Sequence, residues 1–420
     1  MVSNNGVANA WKKNTALFLT SQTISLFGSS LVQYAIMWYI TLETQSGIMM
    51  TISIICGFVP AFFLSPFAGV WADRYNRKLL IMLADSMIAL STLVLAVLFL
   101  LGYEAIWLLF VMSAIRAVGT GIQTPAVGAI LPQFVPEDQL TRVNGINGSI
   151  QAFIMIISPM ASAALLTKAS IEVIFFIDVV TALIAILTLL FFLRVSAHTK
   201  AMQDQTTSYL EDLKKGIKYI GDHTFLKKFF VYVALFNVLA APAAFLTPLQ
   251  VTRTFGSETF GSDVWRLTAI EITFAIGMMI GGILLATWGG FKNKIHTMAM
   301  AGLMMGACTI ALGVVPIFAI YLTFMSLFGL AMPFFNTPFT VLLQEKVEPD
   351  YLGRVFGVLT MISTSMMPLG MLVFGPVADV VAIEWLLMGT GILLLVLVFT
   401  LIGNKVLVEV GKPAVNEDTH

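Results

Sequence analysis

The chain has 420 residues, of which 58% are hydrophobic and only 11% charged, with 23 basic and 23 acidic side chains giving a formal net charge of zero. Soluble globular chains carry about 25% charged residues, so this composition belongs in lipid rather than water. The balanced charge gives no basis for nucleic-acid binding, and the 2 cysteines, Cys56 and Cys308, lie in separate apolar stretches, which argues against a disulfide framework or a metal site.

The first ten residues are polar and lack a cleavable signal pattern. Apolar runs long enough to span a bilayer then follow at 14–41, 47–71, 78–101, 105–131, 139–167 and 172–194. After a polar stretch come 229–252, 264–289, 295–315, 318–344, 352–379 and 383–403. The expected fold is therefore an all-α membrane protein with twelve transmembrane helices. The expected divisions are an N-terminal six-helix bundle over 1–194, a linker over 195–228, a C-terminal six-helix bundle over 229–404 and a tail over 405–420.

Basic residues test this topology independently. With the N-terminus placed in the cytoplasm, Lys168, Arg253 and Arg266 fall on the far side and Arg116 inside a span, leaving 19 of the 23 Lys and Arg on the cytoplasmic side. The positive-inside rule thus predicts both termini in the cytoplasm. Within the linker, Leu210, Leu213, Ile217 and Ile220 recur at helical spacing with Lys214, Lys215 and Lys218 on other faces, which predicts a short amphipathic helix on the inner membrane surface.

The two halves repeat. Gln123-Thr-Pro125 through Pro136 to Arg142 closes span 4 and opens span 5, and Asn336-Thr-Pro338 through Pro349 to Arg354 does the same for spans 10 and 11. The Thr-Pro pairs and the loop prolines are both offset by 213 residues. Two pseudo-symmetric six-helix bundles in parallel orientation follow, with a substrate site expected near the midplane. Gly277-Met-Met-Ile-Gly281 and Gly302-Leu-Met-Met-Gly306 carry the small-x-x-x-small spacing of closely packed helices. Pro125, Pro159, Pro338 and Pro368 lie within spans and are candidate bends.

Four ionisable residues lie within the spans: Asp85, Arg116, Asp178 and Glu271. Each costs several kcal/mol in lipid unless paired or hydrated, so each is a functional candidate. Arg116 falls near mid-bilayer and stays charged, so it needs a water-filled cavity or an acidic partner. Asp178 and Glu271 fall in the outer third, one per half. A carboxylate that alternates between an apolar cavity and a nearby cation can load and release a proton. Polar contact between helices is the alternative for both. Asp85, one to two turns into span 3, is expected to support the basic loop before it.

That loop, Gly69-Val-Trp-Ala-Asp73-Arg74-Tyr-Asn-Arg77-Lys78, is a block of charge between two apolar spans. It resembles the loop between helices 2 and 3 of major facilitator superfamily transporters. The resemblance implies a cytoplasmic gate. Gly69 would permit close helix approach, Asp73 would bond the free N–H groups of a neighbouring helix, and Arg77 would fix Asp73 or a carboxylate of span 4 or 11. Arg74, Lys78 and Asp85 complete the candidate gate. The matching loop of the second half, Gly282 to Lys294, keeps glycine and basic charge but has Ala286 where the first half has Asp73.

Ala114-Ile-Arg116-Ala-Val-Gly119-Thr-Gly121 resembles the helix 4 motif of drug–proton antiporters, in which the arginine is implicated in proton coupling. Ser158-Pro159 stands where exporters have a Gly-Pro motif, but the flanking glycines are missing. Phe176-Ile-Asp178, Glu271 to Gly282 and Gln344 to Phe356 add a likeness to the macrolide-efflux branch over nearly the whole chain. This likeness implies a monomeric exporter of macrolide-like or multidrug amphipathic compounds in the bacterial inner membrane. Its partners would be the lipid bilayer, protons and the substrate, with no cofactor and no enzymatic activity. Siderophore and lysophospholipid exporters or flippases belong to the same branch, and a nutrient uptake symporter is the competing class. No nucleotide-binding motif is present, which disfavours an ATP-driven pump.

Overall fold

Long apolar runs satisfy every backbone group internally only as helices, and the computed structural model, which describes residues 4–193, 209–256 and 259–412, is helical almost throughout. The first half holds α1 (Asn4–Thr44), α2 (Gly47–Arg74), α3 (Arg77–Leu100), α4 (Ile106–Ile130), α5 (Glu137–Lys168) and α6 (Ile171–Phe192). A linker helix α7 (Tyr209–Asp222) precedes α8 (Thr224–Phe245) and α9 (Thr247–Phe255). The chain continues through α10 (Phe260–Trp288), α11 (Lys294–Val314), α12 (Phe318–Lys346), α13 (Pro349–Val377), α14 (Ile383–Gly403) and α15 (Lys405–Val410). Among the described residues, twelve helical segments are long and apolar enough to cross a membrane, each overlapping its expected place.

Span 7 is the exception to simple continuity. It divides into α8 and α9 at Leu246, with Pro242 inside α8 and Pro248 in the first turn of α9. Neither proline could keep its i→i−4 bond, so the span breaks where the two fall closest together. Span 8 begins four residues earlier than expected, because Thr259 starts α10 by accepting from the Ser262 and Asp263 N–H groups.

The chain forms two compact units: Met1–Glu43, Ile52–Tyr209 and Thr259–Thr268 in the first, and Thr44–Thr51, Leu210–Glu258 and Ala269–His420 in the second. The internal pairing repeats. α3 packs on α4 and α6 in the first unit, and α11 packs on α12 and α14 in the second. Those are spans 3, 4 and 6 against spans 9, 10 and 12. The local chemistry repeats too: α3 and α11 each begin on an asparagine cap, Asn76 accepting from the Leu79 N–H and Asn293 from the Ile295 N–H.

Both small-x-x-x-small patterns are packing surfaces. A Cβ on Gly277 would run into the Ser326 carbonyl, one on Gly281 into the Leu330 carbonyl, and one on Gly329 into the Phe274 carbonyl. The backbones of α10 and α12 thus cross with nothing between them. Gly302 and Gly306 seat Val398 and Leu395 of α14 in the same way.

The linker contains the helix α7, and the side chains of Leu210 and Leu213 lie outside the described residues. Its described face packs on α13. Gly216 lies against the Arg354 backbone, and the Tyr219 ring stacks on Tyr351 at 4.3 Å. Ile220 is buried there, whereas Ile217 is exposed.

Candidate functional site

The first unit contains a column of polar side chains in an apolar interior. Its upper level is an ion pair. Arg116 of α4 and Asp178 of α6 meet at 2.6 Å with both side chains nearly excluded from solvent. Two hydroxyls complete the carboxylate's shell: Ser29 of α1 donates to Oδ1 at 3.1 Å and Thr92 of α3 to Oδ2 at 2.9 Å. The guanidinium also donates to the Ser29 carbonyl at 3.1 Å and contacts the Thr92 hydroxyl. All four helices contribute, so a change in the pair bears on the packing of the whole unit.

Sequence makes this meeting possible through Gly28. A Cβ there would lie 3.1 Å from the Asp178 Cα and overlap the Thr181 hydroxyl, so only glycine lets α1 approach α6 closely enough for Ser29 to reach the carboxylate. Asp178 lies about 10 Å along α6 from its start, at 1.5 Å per residue.

The lower level is built on Asp85 of α3, which is 1% exposed. Its Oδ1 accepts from the Gln123 amide at 2.6 Å and the Ser25 hydroxyl at 3.2 Å, while its Oδ2 is buried with no hydrogen-bond partner among the described residues. This corrects the expectation that Asp85 supports the basic loop. The rotation of α3 turns it toward α1 and α4, about 12 Å from the helix start.

The loop's basic residues do something else. Arg77 donates to the Ala72 carbonyl at 2.8 Å and the Ala129 carbonyl at 2.7 Å, at the C-terminal ends of α2 and α4. Lys78 donates to the Leu193 and Leu190 carbonyls at the end of α6, at 2.8 and 3.2 Å. Cations are favoured there because the last carbonyls of a helix lack intrahelical partners and carry the negative end of its dipole. Whether Arg77 also meets the carboxylate expected for it, Asp73 among the candidates, falls on side chains outside the described residues. A Cβ on Gly69 would meet nothing within 4 Å among the described residues. Asp73 and Arg74 end α2, and their side chains lie outside the described residues.

Glu271 of α10 belongs to the second unit, about 17 Å along its helix because α10 begins early. No hydrogen bond or ion pair engages its carboxyl among the described residues. Elsewhere in that unit, Tyr321 donates to Gln250 at 2.9 Å, and Gln250 donates to the Leu312 carbonyl at 2.8 Å beside the break in span 7.

Sequence reading missed the second unit's most connected acid, Asp379, in the turn after α13. Its carboxylate accepts from the Gly47 N–H at 2.6 Å, the Ile48 N–H at 3.0 Å and the Ser46 hydroxyl at 2.8 Å, all at the start of α2. Arg253 of α9 adds an ion pair at 3.0 Å and ties down the Ala378 and Gln45 carbonyls. Burial opposes ionisation of Asp379, but these donors more than offset it and hold its carboxyl below the usual carboxylate range. Ser25, Ser29, Thr92 and Gln123 were also missed. The spacing of Ser21, Ser25 and Ser29, four residues apart on one face of α1, is the signal that would have found the column.

A pocket of about 650 Å³ opens between α1 and α5 in the first unit, lined by Trp11, Lys12, Thr15, Arg142 and Ile146 among others. Apolar walls with two basic groups suit an amphipathic molecule.

Twelve candidate spans among the described residues and two repeated units define a multi-pass membrane protein, with a buried ion pair supported by four helices. Residues 18–371 match the Major Facilitator Superfamily, and the chain belongs to it. Macrolide efflux protein A of Streptococcus pyogenes is 30% identical over 400 residues, covering 94% of this chain and 97% of that one. The staphyloferrin A transporter of Staphylococcus aureus is 25% identical over 401 residues, covering 93% and 96%. A crystal structure of a mutant of the nucleoside transporter NupG shares the fold, with a TM-score of 0.74 over 93% of this chain and 99% of that chain at 14% identity.

Proposed function

We propose that the protein is a secondary active exporter of amphipathic small molecules, of macrolide or multidrug type, driven by proton antiport through alternating access. The observation that carries the reading is the Arg116–Asp178 pair. A buried guanidinium and carboxylate that exchange partners can couple a proton to a conformational change. The full-length likeness to macrolide efflux protein A supports the substrate class and the direction of transport. Glu271, unengaged by any described partner, is a second candidate for proton or cationic substrate binding.

The protein acts as a monomer in the bacterial inner membrane with both termini in the cytoplasm, in line with the distribution of Lys and Arg. Gly69, Asp73, Arg74, Arg77 and Lys78 form the cytoplasmic gate of this reading. Siderophore export is a second reading, favoured by the likeness to the staphyloferrin A transporter.

Expression in a drug-sensitive bacterial host and uptake into everted membrane vesicles test the proposal together. The expected result is raised macrolide tolerance and vesicle accumulation that stops when the pH gradient is collapsed. Accumulation indifferent to the gradient would reject antiport. A host starved rather than sensitised by loss of the protein would point to uptake instead.

A further inference from the structure

Among the described residues the first unit holds three buried carboxylates: Glu172 in the first turn of α6 and, deeper in their helices, Asp85 and Asp178, whose surroundings differ in kind. Asp178 has a cation and two hydroxyl donors spread over both oxygens, a shell suited to a charged carboxylate. Asp85 has no cation. Both of its donors, Ser25 and Gln123, fall on Oδ1, and Oδ2 is left buried without a partner among the described residues.

An ionised carboxylate has two equivalent oxygens, and leaving one bare in an apolar interior is among the costliest arrangements a protein can hold. A neutral carboxyl is not symmetric. Its carbonyl oxygen accepts, and its hydroxyl oxygen carries the hydrogen. The arrangement seen around Asp85 is that of the neutral acid, with Oδ1 as the carbonyl and Oδ2 as the hydroxyl. Of the charged groups on the helices packed around it, Asp178 on α6 and Arg116 on α4 are committed to each other. No titratable residue among the described residues of α1 faces Asp85, since that helix presents Ser25.

The two levels are joined by the helices themselves. Ser25 and Ser29 are one turn apart on α1, Asp85 and Thr92 two turns apart on α3, and Arg116 and Gln123 two turns apart on α4. A shift that moves Arg116 away from Asp178 moves the same helices that hold Asp85. One acid paired with a cation and another without one, on shared helices, is the arrangement from which proton exchange is built.

We infer that Asp85 is a proton-binding site of the transport cycle, holding its proton on Oδ2 in the state described here. The O–H bond at Oδ2 forms by transfer from a hydronium ion, which leaves as water, when the column opens to one side. It breaks by transfer back to water when the column opens to the other. Gln22 of α1, whose amide nitrogen is likewise buried without a partner among the described residues, sits one turn from Ser25 and gives a neighbouring polar group along the route. The inference rests on the antiport reading above for its role in transport, although the protonation state itself does not.

Infrared difference spectroscopy on the purified full-length protein at neutral pH reads the protonation state directly. A protonated-carboxyl band is expected in the wild type, absent in Asp85→Asn and present at a displaced frequency in Asp85→Glu. A spectrum in which Asp85→Asn removes no such band overturns the inference. In proteoliposomes, accumulation of a radiolabelled macrolide driven by a pH gradient should fall at least tenfold in Asp85→Asn and recover in part in Asp85→Glu. If the wild type is driven by the gradient and Asp85→Asn is driven equally well, the inference fails while antiport survives. If the wild type ignores the gradient, antiport itself has failed, and the role of Asp85 in it falls too.

Discussion

Replacing Asp178 with asparagine isolates what the buried pair contributes. The amide keeps the shape of the carboxylate and can still meet Ser29 and Thr92, but it leaves the Arg116 guanidinium uncompensated in a setting where its side chain is only 9% exposed. Removing one partner of a buried pair costs about 3–5 kcal/mol, because the remaining charge is stranded rather than because the pair was strong. Replacing both charges with apolar residues of similar volume is often neutral or stabilising by about 1–4 kcal/mol. The double variant Arg116→Met with Asp178→Leu should therefore recover most of the loss, a coupling of at least about 2 kcal/mol in a double-mutant cycle. Denaturant unfolding in mixed lipid–detergent micelles measures all the variants on one scale. Transport should be lost in the single and double variants alike, so stability and activity separate. A single variant within about 1 kcal/mol of wild type would refute the reasoning, as would strictly additive changes, since either means that water rather than Asp178 compensates Arg116.

Three further outcomes are expected. Glu271→Gln should abolish or sharply reduce gradient-driven substrate movement in everted vesicles, and unchanged movement would remove Glu271 from the proton route. Gly277→Ala should destabilise by about 1–3 kcal/mol or more, because the new methyl meets the Ser326 carbonyl, which is backbone and cannot rotate away; thermal unfolding in detergent reads the change. Asp379 is held below its ordinary value of 3.8, so its stabilisation is fully present above that pH and is lost as the pH falls toward its lower folded value. Asp379→Asn should therefore lower stability at neutral pH and flatten the stability profile in acid, as followed by unfolding from pH 7 down to about pH 3.

The spans were legible because bilayer length and apolar composition speak through each segment by itself. What sequence left open was which faces meet. Arg116 and Asp178 were each visible as costly charges, but their pairing depends on how α4 and α6 are turned about a shared neighbour, α3. Asp85 was misplaced for the same reason. Its distance along the chain favoured the loop, whereas the rotation of α3 directs it inward to Ser25 and Gln123. The break in span 7 was readable from Pro242 and Pro248 but hidden by an unbroken apolar run. Arg77 and Lys78 show a subtler limit: a motif fixes which residues matter, but the bonds described for them include the carbonyls that end α2, α4 and α6, and carbonyls leave no trace in sequence.

The contact between Asp379 and the start of α2 has a consequence for synthesis. The Gly47 N–H waits for an acceptor 332 residues further along the chain. At about 5–20 residues per second, a ribosome needs roughly 17–66 s to supply it. Until then the first helical hairpin must remain in the bilayer with its exposed amides answered by water or lipid headgroups. The start of α2, among the first segments to enter the membrane, is thus among the last to gain its final bonds.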